Sequence, residues 1–232
     1  MGRRRWLRRL TGAGGGGHTS TPTTRPKEQK VMTIGIIGAG AIGQALAGRL
    51  VAAGQQVLIS SSRGPDSLHD LVHAFGSHLK PASVREAAAE DIVIIAVPWR
   101  QLPMAVKAAD VAHWGGRIVI DTTNPLGPPD FKVADLGGRT SSEVVADLVP
   151  GARVVKAFNT LTPAVLGADP RTPAGRRVIF LSGDDAGAND RIAHLIQHAG
   201  WAAIDLGPLA IGGRLQQFPG GPLPTLRLLQ ET

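Results

Sequence analysis

The run Thr33-Ile34-Gly35-Ile36-Ile37-Gly38-Ala39-Gly40-Ala41-Ile42-Gly43 constrains this chain more than any other stretch. A short apolar segment enters it, three glycines follow at G-x-G-x-x-G spacing, and a helical pattern leaves. Each glycine has separate work. Gly38 permits the tight strand-to-helix turn. Gly40 lets a pyrophosphate approach the main chain, and Gly43 lets the helix lie close on its strand. The helix start offers unpaired N–H groups and the positive end of its dipole to phosphate oxygens. A strand before and a helix after are the context in which this spacing means a dinucleotide site rather than a glycine-rich turn. Gly38, Ala39, Gly40, Ala41, Ile42 and Gly43 are therefore assigned to a nucleotide cofactor.

The rest of the chain repeats the alternation. Apolar runs predict strands over 33–38, 56–60, 78–80, 91–97, 117–121, 153–158, 177–182 and 202–206. Helical patterns fall over 41–53, 65–75, 102–109, 141–149 and 186–199. Ser83 with Glu86 three residues on reads as a capping box. The run 91–97 is apolar almost throughout, as a central parallel strand covered on both faces requires. Alternating strands and helices with short connections predict an α/β fold built on a doubly wound parallel sheet. The Gly/Pro-rich segment 207–232 reads as an irregular arm with room for one terminal helix. The domain plan is a disordered basic tail over 1–31, a nucleotide-binding domain over 32–150, and a lobe and arm over 151–232 that complete the cleft.

The net charge of +7 invites a nucleic-acid reading. Its position argues against one. Residues 1–31 carry eight Arg and Lys against one Glu, which accounts for the whole surplus, and the remaining 201 residues are balanced. The basicity belongs to a tail too poor in apolar residues to fold, so no nucleic-acid partner is expected of the body. Arg3-Arg4-Arg5-Trp6-Leu7 is like the start of an export signal, but no long apolar stretch follows, and no stretch reaches membrane-spanning length. The chain has no cysteine, which excludes disulfides and cysteine metal sites and fits a reducing compartment. The expected location is cytoplasmic, with no membrane partner. The pairs His69/His73 and His194/His198 share helix faces but lack the glutamate of a zinc protease helix, so no metal site is assigned.

The tip of the second strand selects the cofactor. NAD proteins place an acid there to hold the ribose 2′-OH. This chain reads Ser60-Ser61-Ser62-Arg63: hydroxyls to donate, a guanidinium fork, and no carboxylate to repel a 2′-phosphate. The cofactor is read as NADP(H). Ligands of such sheets sit beyond the strand ends, and three more ends stand out. At Val97-Pro98-Trp99 the tryptophan either walls the cofactor channel or caps the core. Between Asp121 and Pro125, Thr123 and Asn124 either meet a nicotinamide amide or tie down a turn. After 153–158, Asn159, Thr160 and Leu161 enter the cleft, while Lys156 is either a base or structural. No residue is assigned as catalytic.

On these residues, with Ala96-Val97-Pro98 and the Gly207-Pro208-Leu209 approach to Arg214-Leu215, the chain resembles the coenzyme F420-dependent NADP oxidoreductase family over residues 32–225. The resemblance implies a Rossmann NAD(P)-binding fold and direct hydride transfer between nicotinamide and deazaflavin, with positioning as the protein's contribution. It implies 2′-phosphate contacts from Ser61, Ser62 and Arg63. It places Asn159 and Leu161 near the paired rings, and Thr160 and Arg214 on the substrate side. Asn159 stands where the F420 enzymes carry a histidine, and the bulky run 216–220 replaces their small hydroxyl residues, so F420 and a flavin both stand as second redox partners. The family is also similar to ferric-reductase domains that couple NADPH to membrane haem. The expected partner is a small-molecule electron acceptor or donor, with a homodimer admitted as the assembly. A dehydrogenase with a long helical substrate domain does not fit the residues after Phe158. A non-catalytic NADP-binding redox-sensing or interaction module is the alternative function.

Overall fold

Six parallel strands order the molecule. The computed structural model describes residues 33–127 and 131–231. In it β1 (Thr33–Ile37), β2 (Gln56–Ser60), β3 (Leu79–Ala82), β4 (Ile92–Ile95), β5 (Ile118–Asp121) and β6 (Arg153–Ala157) pair in the order β3-β2-β1-β4-β5-β6. Every one of these pairings is parallel. Strand order reverses between β1 and β4, and there the sheet opens a crevice beyond its carboxyl ends. The tail read over 1–31 lies outside the described residues.

The helices are α1 (Ala41–Ala52), α2 (His69–Phe75), α3 (Val84–Ala88), α4 (Leu102–Ala109), α5 (Ser141–Leu148), α6 (Pro163–Gly167), α7 (Ala186–His198) and α8 (Leu209–Gln216). They cover both faces of the sheet. Strand β4 shows why its sequence is uniformly apolar. Ile92 and Ile94 join one core with Leu46, Leu50, Ile192 and Ile196. Val93 and Ile95 join another with Leu102, Ala109 and Val145. Alternate side chains of a strand face opposite ways, and here both ways are interior. This is the expected Rossmann-like architecture, with a mostly parallel sheet.

Local signals end and start the helices. Gly54, at φ +79°, follows α1. Ser83 and Glu86 form the expected capping box on α3. Thr140 and Glu143 form a second one on α5, and the Asp185 side chain accepts from Ala188 N at the start of α7.

Two expectations are corrected. Strand β8 (Gly175–Gly183) runs antiparallel to β6, so the sheet is not parallel throughout. A parallel return needs a crossover that spans the sheet. The five-residue α6 does not supply one, and β7 (Arg171–Thr172) turns the chain back as a hairpin with β8. β9 (Ala202–Asp205) then lies parallel to β8. The arm's helix also opens the arm rather than closing it: α8 begins after Pro208, and the last segment is β10 (Leu229–Gln230), antiparallel to β8. Two of the glycines that made this segment look irregular are packing contacts inside α8. A Cβ on Gly212 would strike Ser182 and Leu206, and one on Gly213 would press on Thr140. The expected boundary at 150/151 falls between α5 and β6, and β5 and β6 pair within one sheet across it.

Candidate cofactor and ring site

The glycine turn is built by two close contacts and one opening. Gly38 adopts φ +112°, and a Cβ there would overlap the Ala96 carbonyl. A Cβ on Gly43 would overlap the Gly38 carbonyl. The fold itself demands both glycines. Gly40 differs. Its φ of −75° is open to any residue, and a Cβ on it would meet nothing within 4 Å. Nothing in the folded chain requires glycine at that position. That leaves clear space over the main chain at Gly40, the fit expected of a pyrophosphate. No side chain caps α1, and its first turn holds no acid. The leading amides of Ala41, Ile42 and Gly43 are thus left for an anion. Gly40 and Ala41 are exposed, and Ala39 and Ile42 are half-buried beside them.

At the tip of β2 the serines divide. Ser60 is corrected: it is fully buried, and its hydroxyl donates to Ile36 O at 3.0 Å. It is still within the strand, so its side chain turns into the sheet and away from a 2′-phosphate. Ser61, half-buried, accepts from Arg63 N at 3.2 Å, which shapes the turn and leaves its hydroxyl proton available. Ser62 and Arg63 are exposed.

The ring end of the crevice is held from within. Asp121 closes β5 fully buried, opposite Lys156 in register on β6. The Lys156 ammonium donates to Asp121 Oδ2 at 3.1 Å, to Thr123 O at 2.9 Å and to Ser141 Oγ at 3.1 Å. All three of its protons are engaged, so Lys156 is structural and not a base. Ser142 also donates to Asp121 Oδ2. Thr123 donates its amide and its hydroxyl to Asp121 Oδ1 at 2.8 and 2.7 Å. The Thr123 side chain therefore ties a turn, and the expectation that it meets a cofactor is corrected. Sequence reading missed this network as a unit. Its signal was present: an acid at the end of an apolar strand and, in the next strand, a lysine set among Val154, Val155 and Ala157.

The remaining candidates fall as follows. Val97 is half-buried, Pro98 is exposed, and Trp99 packs on the second core, so it caps that core. Leu161 is 6% exposed and packs in the first core. Phe158, at φ +64°, turns the chain out of β6 and brings Asn159 beside Asn124. Asn159 Nδ2 donates to Asn124 Oδ1 at 2.9 Å, and Asn124 Nδ2 donates to Asn159 O at 3.1 Å. Thr160 is buried, and its main-chain oxygen accepts from Thr225 N at 2.8 Å. Arg214 is exposed, and its guanidinium donates to Gly138 O and Ala210 O. It lies beside Glu143, whose carboxyl is held below its ordinary range by main-chain and side-chain hydrogen bonds from Thr140, with help from Arg139 and Arg214. The structure thus places the glycine turn and the Ser61–Arg63 tip beyond β1 and β2, and the Asn124–Asn159 pair beyond β5 and β6, and buries Ser60, Thr123 and Leu161 inside the protein.

Among the described residues no helix is long and apolar enough to cross a membrane. None of their His, Asp and Glu side chains form a group of three or more able to hold a metal ion.

Residues 33–125 match the family model described as NADP oxidoreductase, coenzyme F420-dependent. A solved structure of a hypothetical protein from Sinorhizobium meliloti is 50% identical, covers 88% of this chain and 98% of its own, and superposes with a TM-score of 0.82. A candidate F420-dependent NADP reductase from Arthrobacter is 28% identical over 77% of this chain and 86% of its own, with a TM-score of 0.67. Rat metalloreductase STEAP3 is 28% identical over 204 residues, which is 88% of this chain and 39% of the rat protein. The chain spans about two fifths of the length of the curated relatives it matches.

Proposed function

This chain belongs to the coenzyme F420-dependent NADP oxidoreductase family, and from that premise we propose that it transfers a hydride between NADP(H) and a deazaflavin or flavin-like ring. The observation that carries the reading is Gly40, a glycine the fold does not need at the point where a pyrophosphate would cross the chain. The amides of Ala41, Ile42 and Gly43 hold the diphosphate. Ser61, Ser62 and Arg63 hold the 2′-phosphate, a planar fork on a dianion being worth more than the single charge of a lysine. Bound NADPH supplies the hydride. The protein orients the nicotinamide against the second ring; the hydride passes between the rings and the proton that completes the reduced acceptor comes from solvent, so the commitment of Lys156 to Asp121 and Thr123 leaves the reaction unhindered.

A second reading, a non-catalytic NADP-binding redox-sensing or interaction module, is favoured by one observation: the arm is hydrogen-bonded across Asn124 and Thr160 at the crevice end. One experiment separates the two. Purified protein is mixed with NADPH and F420, FMN or FAD, and absorbance at the NADPH band is followed. Saturable oxidation with one acceptor supports the enzyme. Tight NADPH binding with no turnover for any acceptor supports the module. In either case the expected compartment is the cytoplasm, and a homodimer is admitted as the assembly.

A further inference from the structure

This inference rests on the NADP(H) reading and concerns what the ring end of such a ligand meets. Asn124 and Asn159 follow the ends of adjacent strands, and the arm crosses over both. The second Nδ2 proton of Asn159 goes to Gln216 O at 2.7 Å. Phe218 N donates to Asn124 Oδ1 at 3.3 Å. Thr225 N, further along the arm, donates to Thr160 O at 2.8 Å.

These partners fix which way round each side-chain amide lies. A main-chain oxygen only accepts, so nitrogens must face Gln216 O and Asn159 O. A main-chain N–H only donates, so an oxygen of Asn124 must face Phe218 N. No flip of either side chain satisfies the set. What remains is Asn159 Oδ1, buried and without a hydrogen-bond partner among the described residues. A buried acceptor left in this way is uncommon and calls for an explanation.

The arm offers the two asparagines one carbonyl and one N–H, from Gln216 and Phe218. A ring-borne carboxamide offers the same pair with a further N–H for Asn159 Oδ1 or Asn124 Oδ1, and the imide edge of a fused ring offers a carbonyl for Asn159 Nδ2 and its one N–H for Asn159 Oδ1. We propose that Asn124 and Asn159 form a recognition site for a ring-borne amide, which the main chain of Gln216 and Phe218 fills by imitation and which a bound ligand takes over. The arm is then a built-in competitor. It sets the affinity for the ring, and Asn159 is a residue that determines specificity. The amide comes either from the nicotinamide carboxamide or from the imide of a flavin or deazaflavin.

The test is a cycle between side chain and ligand, read as equilibrium binding by fluorescence. Wild-type protein and Asn159→Ala are titrated with NADPH and with its 3-acetylpyridine analogue, in which a methyl group replaces the carboxamide NH2. In the wild type the analogue binds about 3- to 10-fold more weakly, the span of one net hydrogen bond. In Asn159→Ala that difference collapses. The same cycle with FMN and N3-methylated FMN locates the partner: collapse there, and not with the nicotinamide pair, assigns the site to the acceptor ring. A second variant, Phe218→Pro, removes the arm's donor. Gln217 is already extended at φ −61°, ψ 132°, as the residue before a proline needs to be. This variant tightens binding of the ligand that shows the coupling by about 2- to 3-fold, since part of one neutral hydrogen bond is released. NADPH that binds with no coupling to Asn159 in either cycle, or a Phe218→Pro variant that binds more weakly, overturns the inference and leaves the NADP(H) reading standing. A wild type that takes up none of these ligands overturns both.

Discussion

The two ends of the crevice are built by opposite means. The phosphate end is one continuous turn and one strand tip, with donors that the protein leaves uncommitted: the amides of 41–43, Ser62 and Arg63. The ring end is assembled from β5, β6, the start of α5 and the arm, and nearly every donor there is already engaged within the protein. The phosphate end is organised for binding at little cost to folding. The ring end is a load on folding that also shapes a surface.

The largest expected effect sharpens that contrast. Lys156→Met leaves the Asp121 carboxylate buried without its cation, and it should cost about 3–5 kcal/mol of stability in urea denaturation. An unchanged midpoint would mean that the pair is not holding the ring end. Arg63→Ala should leave stability within about 0.5 kcal/mol and weaken NADPH relative to NADH by about 1.5–3 kcal/mol, the worth of a hydrogen bond to a charged group. Equal losses for the two cofactors would remove Arg63 from the 2′-phosphate.

Gly40→Val separates folding from binding at one atom. The first carbon of the new side chain meets nothing within 4 Å in the protein alone, so the melting temperature should fall by no more than the loss of a glycine N-cap costs. NADPH affinity should fall by about 1–3 kcal/mol through steric conflict. A loss of stability with unchanged affinity would reverse the assignment. The smallest effect belongs to the rim. Glu143 has a depressed carboxyl pKa in the folded protein, Thr140 being the main cause. Its contribution to stability is therefore complete above the ordinary value of 4.5 and is lost as pH falls below it. Glu143→Gln should lower stability slightly at neutrality and converge on the wild type at acid pH, so that the acid limb of a stability profile is flattened.

What could be read in the sequence follows the same division. The contact of Gly43 with Gly38 and the Ser83 cap depend on neighbours within a few residues, and the burial of β4 shows in its own unbroken apolar run. Ser60 was misjudged because hydroxyls near a strand tip look alike in sequence. Only position decides: inside the strand it bonds Ile36 O, and one residue later it can turn outward. The direction of β8 was not legible, since it depends on whether the connection can span the sheet, and α6 with its hairpin cannot. Thr123 and Lys156 carry polar groups suited to a ligand, yet their partners come from Asp121 and Ser141. Only the folded chain reveals that those groups are engaged.

The central claim is that the start of α1 and the tip of β2 take up a 2′-phosphorylated nicotinamide dinucleotide. Titrating the purified chain with NADPH and separately with NADH, with the fluorescence of the reduced ring as signal, tests it most directly. Saturable binding at one site per chain, tighter for NADPH, is the predicted result. No saturable uptake of either coenzyme would contradict it.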